Sequence, residues 1–244
     1  MAQEKLRLIV LHTIRHKESA IIVRGYGSLN GKSSYFLRLS QKNKKHTLSL
    51  LHPLSVVDIT TSSRSFGELK TIKEFHSVYR LSSIRNNIIK GSIAMFISEI
   101  VLKSIEEIEQ NRELFLFLER TILRLESIED GVSNYHLHFL VEFTKILGYL
   151  PEIPKQTQGM LFDIPSAKYR LERREEDISL FDKEESWLLS TLYHTSPQKL
   201  NELVISRQLR YKFIESILRY INYHTGQNIH CQSLSVLKEV FSSQ

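Results

Sequence analysis

Through the first 80 residues, apolar and polar positions alternate or run in short β-branched blocks. From about Ser82 the apolar positions recur every three or four residues. The first pattern buries one face of a strand, the second one stripe of a helix. Residues 5–14, KLRLIVLHTI, are aliphatic and β-branched, and residues 20–26, AIIVRGY, follow a polar break. Gly25 and Gly27 close that segment, and Asn30-Gly31 supplies a turn before SSYFLRLS at 33–40. Residues 47–61, TLSLLHPLSVVDITT, read as one long strand or two, bent at Pro53, and residues 68–79, ELKTIKEFHSVY, as a fifth. Five short strands with tight turns predict a small barrel, because closing the sheet removes its unpaired edges.

The second part reads as helices. Ile84, Ile88, Phe96 and Ile100 keep helical spacing, and Asn111 is placed to cap a helix with acid in its first turn. The next helix ends at Gly148, with Pro151 just beyond. Residues 152–170 hold two prolines and one glycine and read as irregular. Asp182 with Glu185 forms a capping-box pattern, Ser196-Pro197 a cap followed by proline, and Ser206 a cap for a long helix that stops at Gly226. SLSVLKEVF is a short last helix. The fold class expected is therefore α+β and multidomain: a β-barrel over residues 1–80, then an all-α domain over 81–244 with an irregular insertion at 152–170.

Charge sharpens this division. The chain carries +6 overall, but residues 1–80 hold 14 Lys/Arg against 5 Asp/Glu, or +9, and residues 81–244 hold 19 against 22, or −3. Positive charge confined to one third of a chain marks a surface for a polyanion, most commonly nucleic acid. No run approaches the ~20 apolar residues of a membrane span, and the N-terminus lacks a secretory cleavage pattern, so a cytoplasmic protein is expected. The single cysteine, Cys231, cannot form an internal disulfide or a four-cysteine zinc site.

Few residues suggest catalysis. His12, His16 and Glu18 straddle a strand end and need not share a face; His136 and His138, two apart on a helix, point to different sides. YGSLNGKSS imitates the end of a phosphate loop, but its glycines are four apart rather than five and strands follow. YRLERREEDISLFDKEES, residues 169–186, reads as a solvated mixed-charge segment. Neither an enzyme nor a cofactor is expected.

The basic cluster is more informative. Alternation puts Tyr35, Leu37 and Leu39 on one face of their strand and Phe36 and Arg38 on the other; Ile22, Arg24 and Tyr26 share a face of the strand before. If the first set fills the barrel, the outer face carries Arg24, Tyr26, Phe36 and Arg38, flanked by Lys32 and by the loop lysines Lys42, Lys44 and Lys45. Cations that track phosphates beside rings that stack on bases are what a single-strand groove requires. The plain alternative is a solvated loop. Arg207, Arg210, Lys212 and Arg219 lie on two stripes of one predicted helix and read as ordinary surface charge.

LHTIRHKESAIIV, GKSSYFLRLSQKNKKHTLSLLHPLSVVDI, ELKTIKEF, IAMFISEIVLKSIEEIEQNRELFLFL and NYHLHFLVEFTKILGYLPEI follow one another along most of the chain. In that order these segments resemble the RecO family of recombination mediators. The resemblance implies an N-terminal OB-fold and a C-terminal helical domain. It also implies binding of single- and double-stranded DNA, annealing of complementary strands, and help in loading recombinase. The partners it implies are RecR, the C-terminal tail of single-stranded-DNA-binding protein and, indirectly, RecA. Arg38, Lys42, Lys44 and Lys45 fall in the family's basic loop. Gripping an acidic, apolar-ended tail requires an apolar pocket with basic neighbours, and Arg120 and Arg124 are among the candidates. Many members carry a four-cysteine zinc site after L-G-Y-x-P; here that place reads PEIPKQTQGMLFDIPSAKY, so zinc is not expected and packing of Leu161, Phe162 and Ile164 is expected instead. Two other readings stay open, a metal-dependent nuclease and an RNA-binding OB-fold protein with a helical interaction domain, since nothing marks recognition of the 2′-hydroxyl.

Overall fold

The computed structural model describes residues 4–16, 18–66, 69–106, 109–149, 151–154, 157–171 and 179–242, with backbone only for 63–66. Contacts divide the chain into two compact units, Met1–Ser127 and Ile128–Gln244.

In the first unit, β1 (Glu4–Arg15), β2 (Ala20–Gly27), β3 (Gly31–Arg38), β4 (Val56–Phe66) and β5 (Leu69–Ser77) close a barrel in the order β1-β2-β3-β5-β4. Every pairing is antiparallel except β3 with β5, which closes the barrel in parallel, the arrangement of an OB-fold. Leu6, Leu8 and Val10, Ile21 and Val23, Tyr35 and Leu37, and Val57 and Ile59 fill the interior at the two-residue spacing of a strand face, joined by Ile72 of β5. A bulge between Val10 and His12 shifts the register of β1, opposite Gly25, where a Cβ would sit 2.5 Å from the carbonyl oxygen of Ile9. Only glycine fits there.

The segment expected as strand from residue 47 starts differently. Residues Lys44–Leu50 form a short helix, α1, and β4 begins only at Val56. Leu48 and Leu51, three apart, both reach the barrel core, so the helix plugs the barrel's end. Pro53 lies in the turn that follows, and buried Leu54 takes a left-handed backbone (φ 65°) to bond its N–H to Val10 O and lead the chain into β4.

Three helices complete this unit: α2 (Ser82–Asn86), α3 (Ile88–Ser104) and α4 (Arg112–Ser127). Asn87 caps α3, and Asn111 caps the start of α4 by accepting from Leu114 N at 3.0 Å. The Glu126 carboxylate accepts from Ser83 N and Ile84 N, and the buried ammonium of Lys90 donates to Ser83 Oγ and to Glu126 O, locking the three helices together. Arg7 on β1 bridges Asp58 and Glu119, and Tyr79 donates to Glu119, fastening α4 to the barrel. The period changes near residue 80, but the contacts divide after Ser127, because these helices pack on the barrel.

The second unit holds α5 (Val132–Ile146), β6 (Met160–Asp163), β7 (Lys168–Leu171), α6 (Lys183–His194), a 3-10 turn (Pro197–Glu202), α7 (Arg207–Thr225) and α8 (Ser233–Ser242). The capping box at Asp182 and Glu185 is formed reciprocally, Ser206 accepts from Leu209 N, and Gly226 ends α7 at φ 70°. The stretch expected to be irregular contains the antiparallel hairpin β6–β7. The Asp163 carboxylate accepts from Ser166 N across its turn and pairs with Arg170. Phe162 packs its ring against Tyr169, Phe181 and Tyr220 at 5.4, 5.1 and 5.3 Å, and Tyr169 donates to Ser186 O at 2.6 Å. Leu161, Phe162 and Ile164 are buried. Residues 149–180 contain neither cysteine nor histidine, so the donor set of a tetrahedral zinc site does not fit here. Part of the mixed-charge segment, residues 172–178, lies outside the described residues.

Candidate nucleic-acid interface

The pairing register builds the site row by row. On the outer face of β1–β2–β3, His12 lies beside Arg24 and Arg24 beside Ser34; Ile14, Ile22 and Phe36 form the next row, and Arg38 lies beside Ala20. At this end of the barrel the β1–β2 turn meets the start of the basic loop, with Leu39 N donating to Ser19 O at 2.8 Å. Arg24, Arg38, Lys42 and Lys45 are exposed, and none makes an ion pair among the described residues. Four uncompensated cations thus run from the outer face of β2 to the start of α1. The whole unit holds 20 Lys/Arg against 12 Asp/Glu, or +8.

The other two expected cations are engaged in the fold. Lys44 donates to Glu18 O at 2.7 Å, and Lys32 to Ile105 O at 2.6 Å. Burial pulls the Lys32 ammonium below its ordinary pKa; Arg24 pulls the same way while Glu106 opposes. Both lysines lie near the strip but point into protein carbonyls.

The two expected stacking rings need correction. Tyr26 and Phe36 do lie on the outer face of the barrel, as alternation requires, but they are only 0% and 5% exposed. The Tyr26 hydroxyl lies 3.5 Å from Asn111 O, and Gln110 donates to Ser28 O, so the approach to α4 covers this corner. Phe36 meets the ring of His16 edge-on at 5.9 Å. Neither ring presents a free face to a base. Arg15, outside the expected set, is exposed at the same end of the barrel; its place at the end of β1, before the turn that meets the basic loop, is the signal for it. Among the described residues no three His, Cys, Asp or Glu side chains are grouped to hold a metal ion.

A second feature of this unit is a cleft of about 710 Å³ between the barrel and α4. Its floor pairs Arg7 with Asp58 and Glu119, which leaves that cation little call on a phosphate. Along the outer side of α4, Arg112, Arg120 and Arg124 flank the exposed side chains of Leu116 and Leu123.

In the second unit the basic residues of α7 do not form a stripe. Arg210 is buried and donates to Asn134 Oδ1, Lys212 pairs with Asp182, and Arg219 donates to Ser216 Oγ at 2.8 Å. His136 is fully buried and stacks on Phe241, and burial together with Arg210 lowers its pKa to about 3; His138 lies 3.2 Å from Thr195 O. Among the described residues, no helix is long and apolar enough to cross a membrane.

Two family models match the chain. Residues 1–80 match the family model described as Recombination protein O N terminal, and residues 85–230 the one described as Recombination protein O C terminal. A protein of Flavobacterium psychrophilum named DNA repair protein RecO is 31% identical over 242 residues, 98% of this chain and all of its own. Proteins of the same name from Azobacteroides pseudotrichonymphae and Phocaeicola vulgatus are each 29% identical, over 97% and 96% of this chain and 98% and 97% of their own.

Proposed function

Because the chain belongs to the RecO family of DNA repair proteins, we propose that it is a non-enzymatic recombination mediator of the cytoplasm. It binds single- and double-stranded DNA, anneals complementary strands and helps load recombinase on single-stranded DNA. The observation that carries this reading is the strip of Arg24, Arg38, Lys42 and Lys45, exposed cations on one side of the barrel that make no ion pair among the described residues. Two complementary strands repel through their phosphates. A surface that replaces their counterions lowers the repulsion and releases those ions to solution, so the reaction needs neither metal nor nucleotide.

The mediator role also needs protein contacts. The expected partners are RecR, the C-terminal tail of single-stranded-DNA-binding protein and, indirectly, RecA. For the tail we favour the exposed side of α4, where Leu116 and Leu123 lie between Arg112, Arg120 and Arg124; an acidic segment with an apolar end matches that chemistry. An annealing assay with labelled complementary oligonucleotides in EDTA tests the core of the proposal. Annealing that is faster than the spontaneous reaction and fades with added salt supports it. Cleavage that EDTA abolishes points to a nuclease and contradicts it.

A further inference from the structure

We infer that the protein holds single-stranded DNA by its sugar-phosphate backbone alone, leaving the bases unstacked by protein and open to a second strand; this rests on the DNA-binding reading above. The argument starts from the aromatic residues. Among the described side chains of Met1–Ser127, no Phe, Tyr or Trp is exposed. Tyr26, Tyr35, Phe36, Phe96 and Phe115 are buried. Phe75 packs on the barrel core, Tyr79 is turned to Glu119, and Phe117 is half-buried. The exposed rings of Trp187 and Tyr223 belong to the other unit, away from the strip in sequence.

A groove for single strands ordinarily combines a cationic track with rings on which bases stack. Here the track is present and the Tyr26 and Phe36 rings on the same face are covered, while the smaller imidazole of His12 beside Arg24 is exposed. Tyr26 and Phe36 stand in the rows next to Arg24, where stacking platforms would belong, and the fold has closed over both. Lysine ammonium groups have no flat face, so Lys42 and Lys45 give a base nothing to stack on and serve as point charges for phosphates. Of the four cations of the strip, only Arg24 and Arg38 have planar groups; the guanidinium of Arg15 lies at the end of β1. Arg24 and Arg38 are separated along β3 by the four residues from Ser34, the neighbour of Arg24, to Arg38, about 13 Å at strand rise, too far to sandwich one base between them.

The arrangement serves annealing. A strand gripped by its bases must be released before it can pair, whereas a strand gripped by its phosphates keeps its Watson–Crick edges free while its charge is neutralised. Binding should therefore depend on chain length and salt, and hardly on the bases.

The test uses the full chain and modified DNA, so no variant has to fold. Single-stranded thymidine oligonucleotides are compared with abasic strands of equal length and equal phosphate count. Thymine reactivity towards permanganate is measured in the bound strand. One stacked base contributes roughly 5- to 150-fold in affinity. The inference expects abasic and thymidine strands to bind within about 5-fold of each other and bound thymines to stay as reactive as free ones. A larger loss on removing the bases, or protection of the bound thymines, overturns it while leaving DNA binding intact. If neither strand shows salt-sensitive binding, the DNA-binding reading itself falls, and this inference with it.

Discussion

The ammonium of Lys44 donates to the carbonyl oxygen of Glu18 at 2.7 Å, tying the first turn of α1 to the turn between β1 and β2. Its neighbours Lys42 and Lys45 point to solvent. Three lysines that look equivalent in the sequence therefore divide into one strut and two free charges.

The division can be measured. Lys45→Ala should lower the slope of log affinity against log salt by about 0.7, the value of one single-strand phosphate contact. Lys44→Ala should change the slope less and instead cost about 1 kcal/mol of stability, as the loss of a charge-assisted hydrogen bond at an exposed site does. Salt titrations and urea unfolding of the two variants separate these effects.

The helices 82–127 belong to the same unit as the barrel. A fragment of residues 1–127 should fold and retain salt-sensitive binding. A fragment of residues 1–80 loses Glu119 as the partner of Arg7 and Tyr79, and Asn111 and Ile105 as the cover of Tyr26 and Lys32. Small barrels are marginal alone, so this fragment should show little cooperative melting by circular dichroism.

Much of this fold is legible in the chain. Alternation identified the barrel interior, because a strand with one buried face has no other way to order its residues. The caps at Asn111, Asp182 and Ser206 and the stop at Gly226 were equally plain, since each satisfies backbone groups within three residues. The exceptions have a common cause. Alternation places Tyr26 and Phe36 on the outer face but cannot say that distant residues cover it. Helix α1 was hidden because Leu48 and Leu51 take their spacing from the barrel mouth they fill, within a segment too short to declare a period. The hairpin β6–β7 rests on contacts of Phe162 with residues up to 58 positions away, at Tyr220. In the site, charge was legible and pairing was not: nothing near Lys32 or Lys44 in the sequence announces the carbonyls of Ile105 and Glu18.

His136 gives the second unit an acid sensitivity with a definite sign. Its pKa falls from an ordinary 6.5 to about 3 in the fold, through burial first and Arg210 second. Between those values the unfolded chain binds a proton that the folded chain refuses. Stability is therefore full above pH 6.5 and declines as pH falls towards 3, by up to about 1.4 kcal/mol per unit. Urea unfolding at pH 7.5 and pH 5 should differ by about 2 kcal/mol more in the parent than in His136→Leu. Equal pH dependence in the two proteins would show that the imidazole titrates normally.

The hairpin at 160–171 should not depend on metal. Exhaustive chelation should leave the melting temperature unchanged, whereas Phe162→Ala, which removes a fully buried ring in contact with three others, should cost about 3–5 kcal/mol. Stoichiometric zinc in the purified protein, with a fall in melting temperature on its removal, would contradict this.

The most direct test of the central claim is the salt dependence of single-strand binding by the fourfold variant Arg24→Ala, Arg38→Ala, Lys42→Ala, Lys45→Ala. All four side chains are exposed and without ion pairs among the described residues, so the variant should keep the parent's melting temperature. At about 0.7 per phosphate contact, its slope of log affinity against log salt should be shallower than the parent's by about 3 units, with the same loss on every DNA sequence. A folded variant whose slope equals the parent's would place the DNA elsewhere and contradict the account.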